Sequence, residues 1–208
     1  MENNRRKHWE NIYQSKSLTE VSWYQPVPET ALAFFRENQV PKDAAIIDIG
    51  GGDGFLVDHL LDLGYTDITV LDISANALEK AKIRLGIRAK LVKWIVSDIA
   101  EFMPNRNYDV WHDRAAFHFL TTKSEIQYYV ELLKNKVNID GYVFIGTFSE
   151  QGPTKCSGIE IKQYNENDLA SLILDKYSKI KCVYTDHLTP FNTIQSFIFC
   201  SFKHKIAS

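Results

Sequence analysis

The chain has 208 residues, 45% of them hydrophobic and 12% aromatic, enough for the sizeable core of one α/β domain rather than two. Its 24 Lys plus Arg stand against 26 Asp plus Glu, and the formal charge of -2 excludes a general attraction to nucleic acid or anionic membrane. No run approaches the ~18 apolar residues of a spanning helix, and MENNRRKHWENIYQ has no apolar stretch behind its basic residues, so a soluble, cytoplasmic protein without a secretory signal is expected.

Two helices are predicted first, over 5–14 and 28–38, with Trp9 and Tyr13 four apart as an apolar stripe on the first. Between them lies EVSWYQPVPE, with Trp23 and Tyr24. From residue 44 onward strand and helix patterns alternate. Strands are predicted at 44–49, 67–71, 91–96, 108–112 and 141–148, and helices at 55–63, 76–85 and 124–137. Apolar strands alternating with helices argue for a parallel sheet wound by right-handed crossovers. The rhythm then breaks. A long glycine-bearing loop, FSEQGPTKCSGIEIKQY, leads to a helix with Asn165 as its candidate cap, and strands at 180–186 and 194–203 are joined by the turn-prone HLTPFNT with no helix between. The expected fold class is therefore α/β, with a mostly parallel seven-stranded sheet, a C-terminal antiparallel hairpin and helices on both faces. Cys156, Cys182 and Cys200 are odd in number and lack C-x-x-C spacing, which predicts reduced thiols and no zinc or redox site.

The stretch AAIIDIGGGDGFLVDHL places a glycine-rich turn between a buried strand and a helix, where missing Cβ atoms let a ligand meet the main chain. A dinucleotide fingerprint, G-x-G-x-x-G, would need a small residue where Phe55 stands, so a nicotinamide oxidoreductase is disfavoured. The pattern is instead Asp48-x-Gly50-x-Gly52-x-Gly54 with Gly51 between, suited to a ligand with no pyrophosphate.

This stretch resembles the first motif of the class I S-adenosylmethionine-dependent methyltransferases. The resemblance runs from Ile46 to Phe148 and implies one Rossmann-like methyltransferase domain. It implies a lid over 1–40, a cofactor-binding core over 41–148, and a substrate loop, helix and hairpin over 149–208. S-adenosylmethionine is the implied cofactor, its amino-acid end beside the glycine turn. VLDIS places Asp72 and Ile73 after the next strand, 20 residues beyond Gly52, where a carboxylate accepts both ribose hydroxyl hydrogens. WIVSDIAEF puts Asp98 and Ile99 at the adenine-contacting position. Purely structural readings remain for each: a tight turn at the glycines, a helix-terminal acid at Asp72 with Ser74 capping, a common turn at Asp98. Trp23 either closes over the cofactor, its face favouring a sulfonium, or packs against the sheet.

The fourth strand, YDVWHDRAAFHFL, offers His112, Asp113, Arg114 and His118 as catalytic candidates. HDRAAF resembles the W-D-R-G stretch of thiopurine-methyltransferase-like enzymes, with His for Trp and Ala for Gly. Only Asp113 and Arg114 carry over, Arg114 as a bidentate partner for an anionic acceptor, against a structural ion pair between the two. A base is needed only if the nucleophile arrives protonated; His112, His118 or Asp113 would serve. Without N-P-P-Y or D-P-P-Y, adenine and glutamine acceptors are disfavoured. The paired Asp and Asn of catechol-type enzymes is missing too, and no metal site is expected. A methyl acceptor of small size is expected rather than a protein lysine, with no nucleic-acid or membrane partner. The alternative class is a catalytically silent binding module.

Overall fold

The computed structural model describes residues 2–206. The chain forms two compact units, Met1–Phe102 with Thr189–Asn192, and Met103–Leu188 with Thr193–Ser208.

The first unit contains α1 (Glu2–Ser15), α2 (Glu29–Glu37), β1 (Ala45–Ile49), α3 (Leu56–Asp62), β2 (Asp67–Asp72), α4 (Ala75–Leu85) and β3 (Val92–Val96). Every residue of β1 is buried, as expected of a strand covered on both faces, and AIIDI is apolar in all but Asp48. The strand β2 pairs in parallel with β1 and β3, with Ile49 beside Leu71 and Leu71 beside Ile95. That register brings three carboxyl ends level. The residues at or just past each strand's end, at 50–54, 72–74 and 97–99, therefore emerge along one edge. The helix α4 starts at once because Ser74 caps it, its hydroxyl accepting from the Ala77 N–H at 3.1 Å.

The second unit contains β4 (Tyr108–Arg114), α5 (Lys123–Lys136), β5 (Val137–Phe148), a small ribbon of β6 (Lys155–Cys156) and β7 (Ile159–Glu160), α6 (Glu166–Ile173), β8 (Tyr177–Leu188) and β9 (Ile194–His204). Capping boxes start α5 (Thr122 with Glu125) and α6 (Asn165 with Asp168), so Asn165 is the cap expected from YNENDL. The strands β4 and β5 are parallel, and β9 runs antiparallel to both β5 and β8. Within the first unit the strand order is β3-β2-β1, all parallel, and within the second it is β4-β5-β9-β8, with β9 alone reversed.

Three details differ from the sequence-based expectation. The strand β5 begins at Val137, directly after α5, rather than at 141. Inside the expected loop, Ser157 and Gly158 both adopt positive φ, 50° and 80°, the pairing a two-residue hairpin turn requires, and this creates the β6–β7 ribbon. The expectation of three reduced thiols is corrected: Cys182 and Cys200 lie opposite each other in the β8–β9 register, their Cα atoms 4.2 Å apart, and are joined as a disulfide. Only Cys156 is a free thiol, buried and pushed up to about 11 by desolvation. Among the described residues no helix is long and apolar enough to cross a membrane.

Candidate cofactor site

The site is built at the shared carboxyl edge of β1, β2 and β3. The turn after β1 is compact, with Gly51 N–H donating to Leu71 O at 3.1 Å and Gly54 N–H to Gly51 O at 2.9 Å. Glycine is required at particular points. A Cβ on Gly51 would lie 2.6 Å from Asp48 Oδ2 and 2.7 Å from Val70 Cγ1. Gly52 sits at φ 54°, where a side chain is strained, and its Cβ would come within 2.6 Å of the Tyr13 hydroxyl. Gly50 also has positive φ, 65°, and a Cβ on Gly54 would meet Gly51 O at 2.8 Å.

The outside of this turn is held by Arg84 of α4. Its guanidinium donates to Asp53 O at 2.6 Å, to Gly54 O at 2.7 Å and to the Asp58 carboxylate at 2.8 Å, while lying 4.3 Å from the Phe55 ring centroid. Arg84 thereby holds the Asp53 and Gly54 main-chain carbonyls toward α4.

Asp72 ends β2 and is buried. Its carboxylate accepts from Ser74 N–H at 2.8 Å and from the Gly52 N–H, yet burial pushes it up to about 7, with Asp53 and Asp48 adding repulsion. Ile73 beside it is partly exposed. Asp98, after β3, accepts from Ala100 N–H at 2.9 Å and pairs with Arg5 of α1 at 3.2 Å; Ile99 is buried next to it. Asp48 thus stands next to last in β1, Asp72 ends β2 and Asp98 lies two residues past β3, with Gly50–Gly54 between the first two.

The first helix takes a part that its apolar stripe did not disclose. Besides Arg5 on Asp98, Glu10 of α1 accepts from Ser74 Oγ at 2.8 Å and from the first N–H groups of α4, Ala75 at 2.8 Å and Asn76 at 3.1 Å. Trp9 and Tyr13 do form the predicted buried pair, with centroids 6.3 Å apart, and Trp23 meets both rings edge-on at 5.7 and 6.0 Å. Tyr24 packs on Phe55 at 6.0 Å. Arg5, Glu10 and Asp53 are residues of this region that sequence reasoning missed, and Tyr13 was read only as part of the apolar stripe. A charged residue on the apolar side of α1 was the available signal for Arg5.

The second unit holds the other candidates separately. Asp113 is fully buried and accepts from Ala116 N–H, Phe117 N–H and Tyr129 Oη at 2.9, 3.1 and 2.8 Å, and Tyr129 in turn accepts from Trp111 Nε1 at 2.9 Å. Burial still pushes Asp113 up to about 6. His118 is buried, with Nδ1 accepting weakly from Phe148 N–H at 3.4 Å, and desolvation with the Arg114 charge pushes it down to about 3. It stays neutral near pH 7. His112 stacks on Phe144 at 5.2 Å, and Arg114 lies over Phe197 at 5.3 Å. Ala115 takes φ 68° at the position where the resembled pattern has glycine.

Residues 46–136 match the family model described as a methyltransferase domain. The part of the chain that resembles a methyltransferase domain is thus the part that carries the glycine turn and the acids of the first three strands. Among curated relatives, the eEF1A lysine and N-terminal methyltransferase of Mus musculus is 27% identical over 57% of this chain and 17% of its own length. Malonyl-[acyl-carrier protein] O-methyltransferase of Anoxybacillus flavithermus is 33% identical over 51% of this chain and 39% of its own. The chain therefore spans well under two thirds of these relatives. Solved structures match it nearly end to end. A structure from work on conversion of a disulfide bond into a thioacetal group during echinomycin biosynthesis has a TM-score of 0.76 at 17% identity, covering 98% of this chain and 94% of its own. The 1,6-didemethyltoxoflavin-N1-methyltransferase of Burkholderia thailandensis has a TM-score of 0.67 at 14% identity, covering 98% of this chain and 85% of its own. At these identities the likeness establishes the fold.

Proposed function

We propose that the protein transfers a methyl group from S-adenosylmethionine to a small-molecule acceptor. The observation that carries the reading is the convergence of Asp48, Asp72, Asp98 and the glycine turn at 50–54 on the carboxyl edge that β1, β2 and β3 share in register. The residues present fit this cofactor. Asp72 would receive the ribose hydroxyls, Asp98 and Ile99 would meet the adenine, and Gly50–Gly54 would leave room for the amino-acid end. The cofactor supplies an activated methyl on a sulfonium. The chain's own residues bind, orient and exclude water, which is the larger share of catalysis when the donor is already activated.

Residues 1–40 act in this reading as a lid, supported by the Arg5–Asp98 and Glu10–α4 contacts, with Trp23 buttressing α1. Arg114 binds an anionic acceptor group. Asp113 and His118 serve the local fold: the first has its oxygens committed to backbone and Tyr129, and the second stays unprotonated at physiological pH. His112 is the remaining candidate base. A small acceptor is favoured because the relative at 33% identity is named for a malonyl group, whereas the lysine and N-terminal methyltransferase stands at 27%.

The test is turnover of methyl-labelled S-adenosylmethionine against two panels, small molecules sorted as thiols, phenols, amines and carboxylates, and whole-proteome extracts. Label entering a small molecule supports the reading. Label entering only protein would transfer the assignment to a protein methyltransferase, and no cofactor binding would remove the assignment altogether.

A further inference from the structure

Asp53, in the middle of the glycine turn, was not among the expected cofactor ligands. It is 3% exposed, and its Oδ1 has no hydrogen-bond partner. The one hydrogen bond to its carboxylate comes from its own N–H. The two cations near it are engaged elsewhere. Arg84 donates to the carbonyls of Asp53 and Gly54 and to Asp58, and Lys80 Nζ donates to Lys16 O at 2.6 Å. Burial accordingly raises the Asp53 carboxyl above its ordinary value in spite of both. A buried carboxylate with an orphaned oxygen is costly, and the group that would relieve it is a cation carrying N–H donors.

Its surroundings narrow that cation further. Asp53 lies close enough to Asp72 to raise the latter's pKa, so both face a common region. A Cβ built on the intervening Gly52 would lie 2.6 Å from Tyr13 Oη and 3.4 Å from Asp72 Oδ2, which places a phenol hydroxyl and a second carboxylate about the same bare stretch of backbone. Among the described residues no three acidic, His or Cys side chains form a set able to hold a metal ion. An organic cation is the ligand that fits.

We propose that Asp53 receives the α-ammonium of S-adenosylmethionine's amino-acid end, with the Tyr13 hydroxyl of α1 closing the same end. The proposal rests on the methyltransferase reading and adds a charge-specific contact to it. A charged N–H···carboxylate bond in a buried site discriminates strongly against a ligand lacking the ammonium, because the carboxylate would be left unpaired.

The experiment is calorimetric binding to the full chain of three ligands. They are S-adenosylmethionine, its deaminated analogue with an oxo group at the α-carbon, and methylthioadenosine, which lacks the amino-acid portion. The wild-type chain should bind the oxo analogue on the order of tenfold more weakly than the cofactor. In Asp53→Asn that difference should collapse, with methylthioadenosine affinity within twofold of wild type; Tyr13→Phe should weaken the cofactor more than methylthioadenosine. Equal binding of cofactor and oxo analogue by the wild-type chain overturns the proposal, and needs no variant to fold. So does an Asp53→Asn chain that loses affinity for all three ligands alike, since Asp53 would then only shape the turn. Failure of the wild-type chain to bind any of the three would refute the methyltransferase reading instead.

Discussion

Asp72 should make cofactor binding depend on pH in the neutral range. In the free protein its carboxyl is pushed from 3.8 to about 7, chiefly by burial. The folded chain therefore holds this proton more tightly than the unfolded chain does. The stabilisation is fully present below about pH 4 and is lost as pH rises through about 7, a difference of about 4 kcal/mol for the ionised site. A ribose donating two hydroxyl hydrogens requires the ionised form. One pH unit below 7 about a tenth of the molecules are ionised and one unit above about nine tenths, so the dissociation constant should fall about tenfold between pH 6 and pH 8. Calorimetry in buffers of different ionisation enthalpy should record proton release over that interval. Asp53 is raised by burial too and faces the same turn, so Asp72→Asn is the control that assigns the effect. That variant should bind about 1–3 kcal/mol more weakly at pH 8 and show a nearly flat profile. Without ligand it should melt above wild type at pH 8, because a buried charge has been removed while an oxygen remains for the Ser74 N–H, at 2.8 Å in the native protein. A wild-type dissociation constant that is constant from pH 6 to 8 would refute the reasoning.

Gly52→Val should abolish cofactor binding and lower stability, since the side chain meets φ 54° and the Tyr13 hydroxyl together; normal affinity would rule out close approach of a ligand at that point. Arg84→Ala should lower stability by about 2–3 kcal/mol, seen as a reduced Tm, and weaken the cofactor, because two turn carbonyls and Asp58 lose their donor. Arg114→Lys should raise the acceptor's KM with cofactor affinity unchanged, since lysine keeps the charge and loses the planar fork; an equal loss of cofactor affinity would contradict the role proposed for Arg114. Reductant should lower Tm through Cys182–Cys200, whose 18-residue separation corresponds to about 3 kcal/mol, and the double serine variant should be insensitive to it. Identical melting with and without reductant would show that the bond adds nothing to stability.

The strand, turn and acid pattern of the candidate cofactor site was legible in the sequence because its information is local. An apolar strand, glycines at alternate places, and an acid just past each of the next strands all lie within short windows, and parallel pairing then needs only level registers to bring them to one edge. The reversed last strand was legible for the same reason, as two strand patterns with no helix between. Other features depended on partners distant in the chain. A buried stripe tells that Trp9 and Tyr13 face inward without telling what they face. The structure decided that α1 brings Arg5 to Asp98, 93 positions away, and Glu10 to Ser74, 64 away. Burial likewise set the chemistry of His118 and Asp113, moving their titration away from the values their residue types suggest. Odd cysteine spacing could not show that two of them lie opposite in an antiparallel register. A carboxylate inside GGGDG reads as a turn residue from its neighbours alone. Only the packed structure shows that its oxygen is enclosed without a donor, because desolvation is a property of everything around a group and composition along the chain does not specify it.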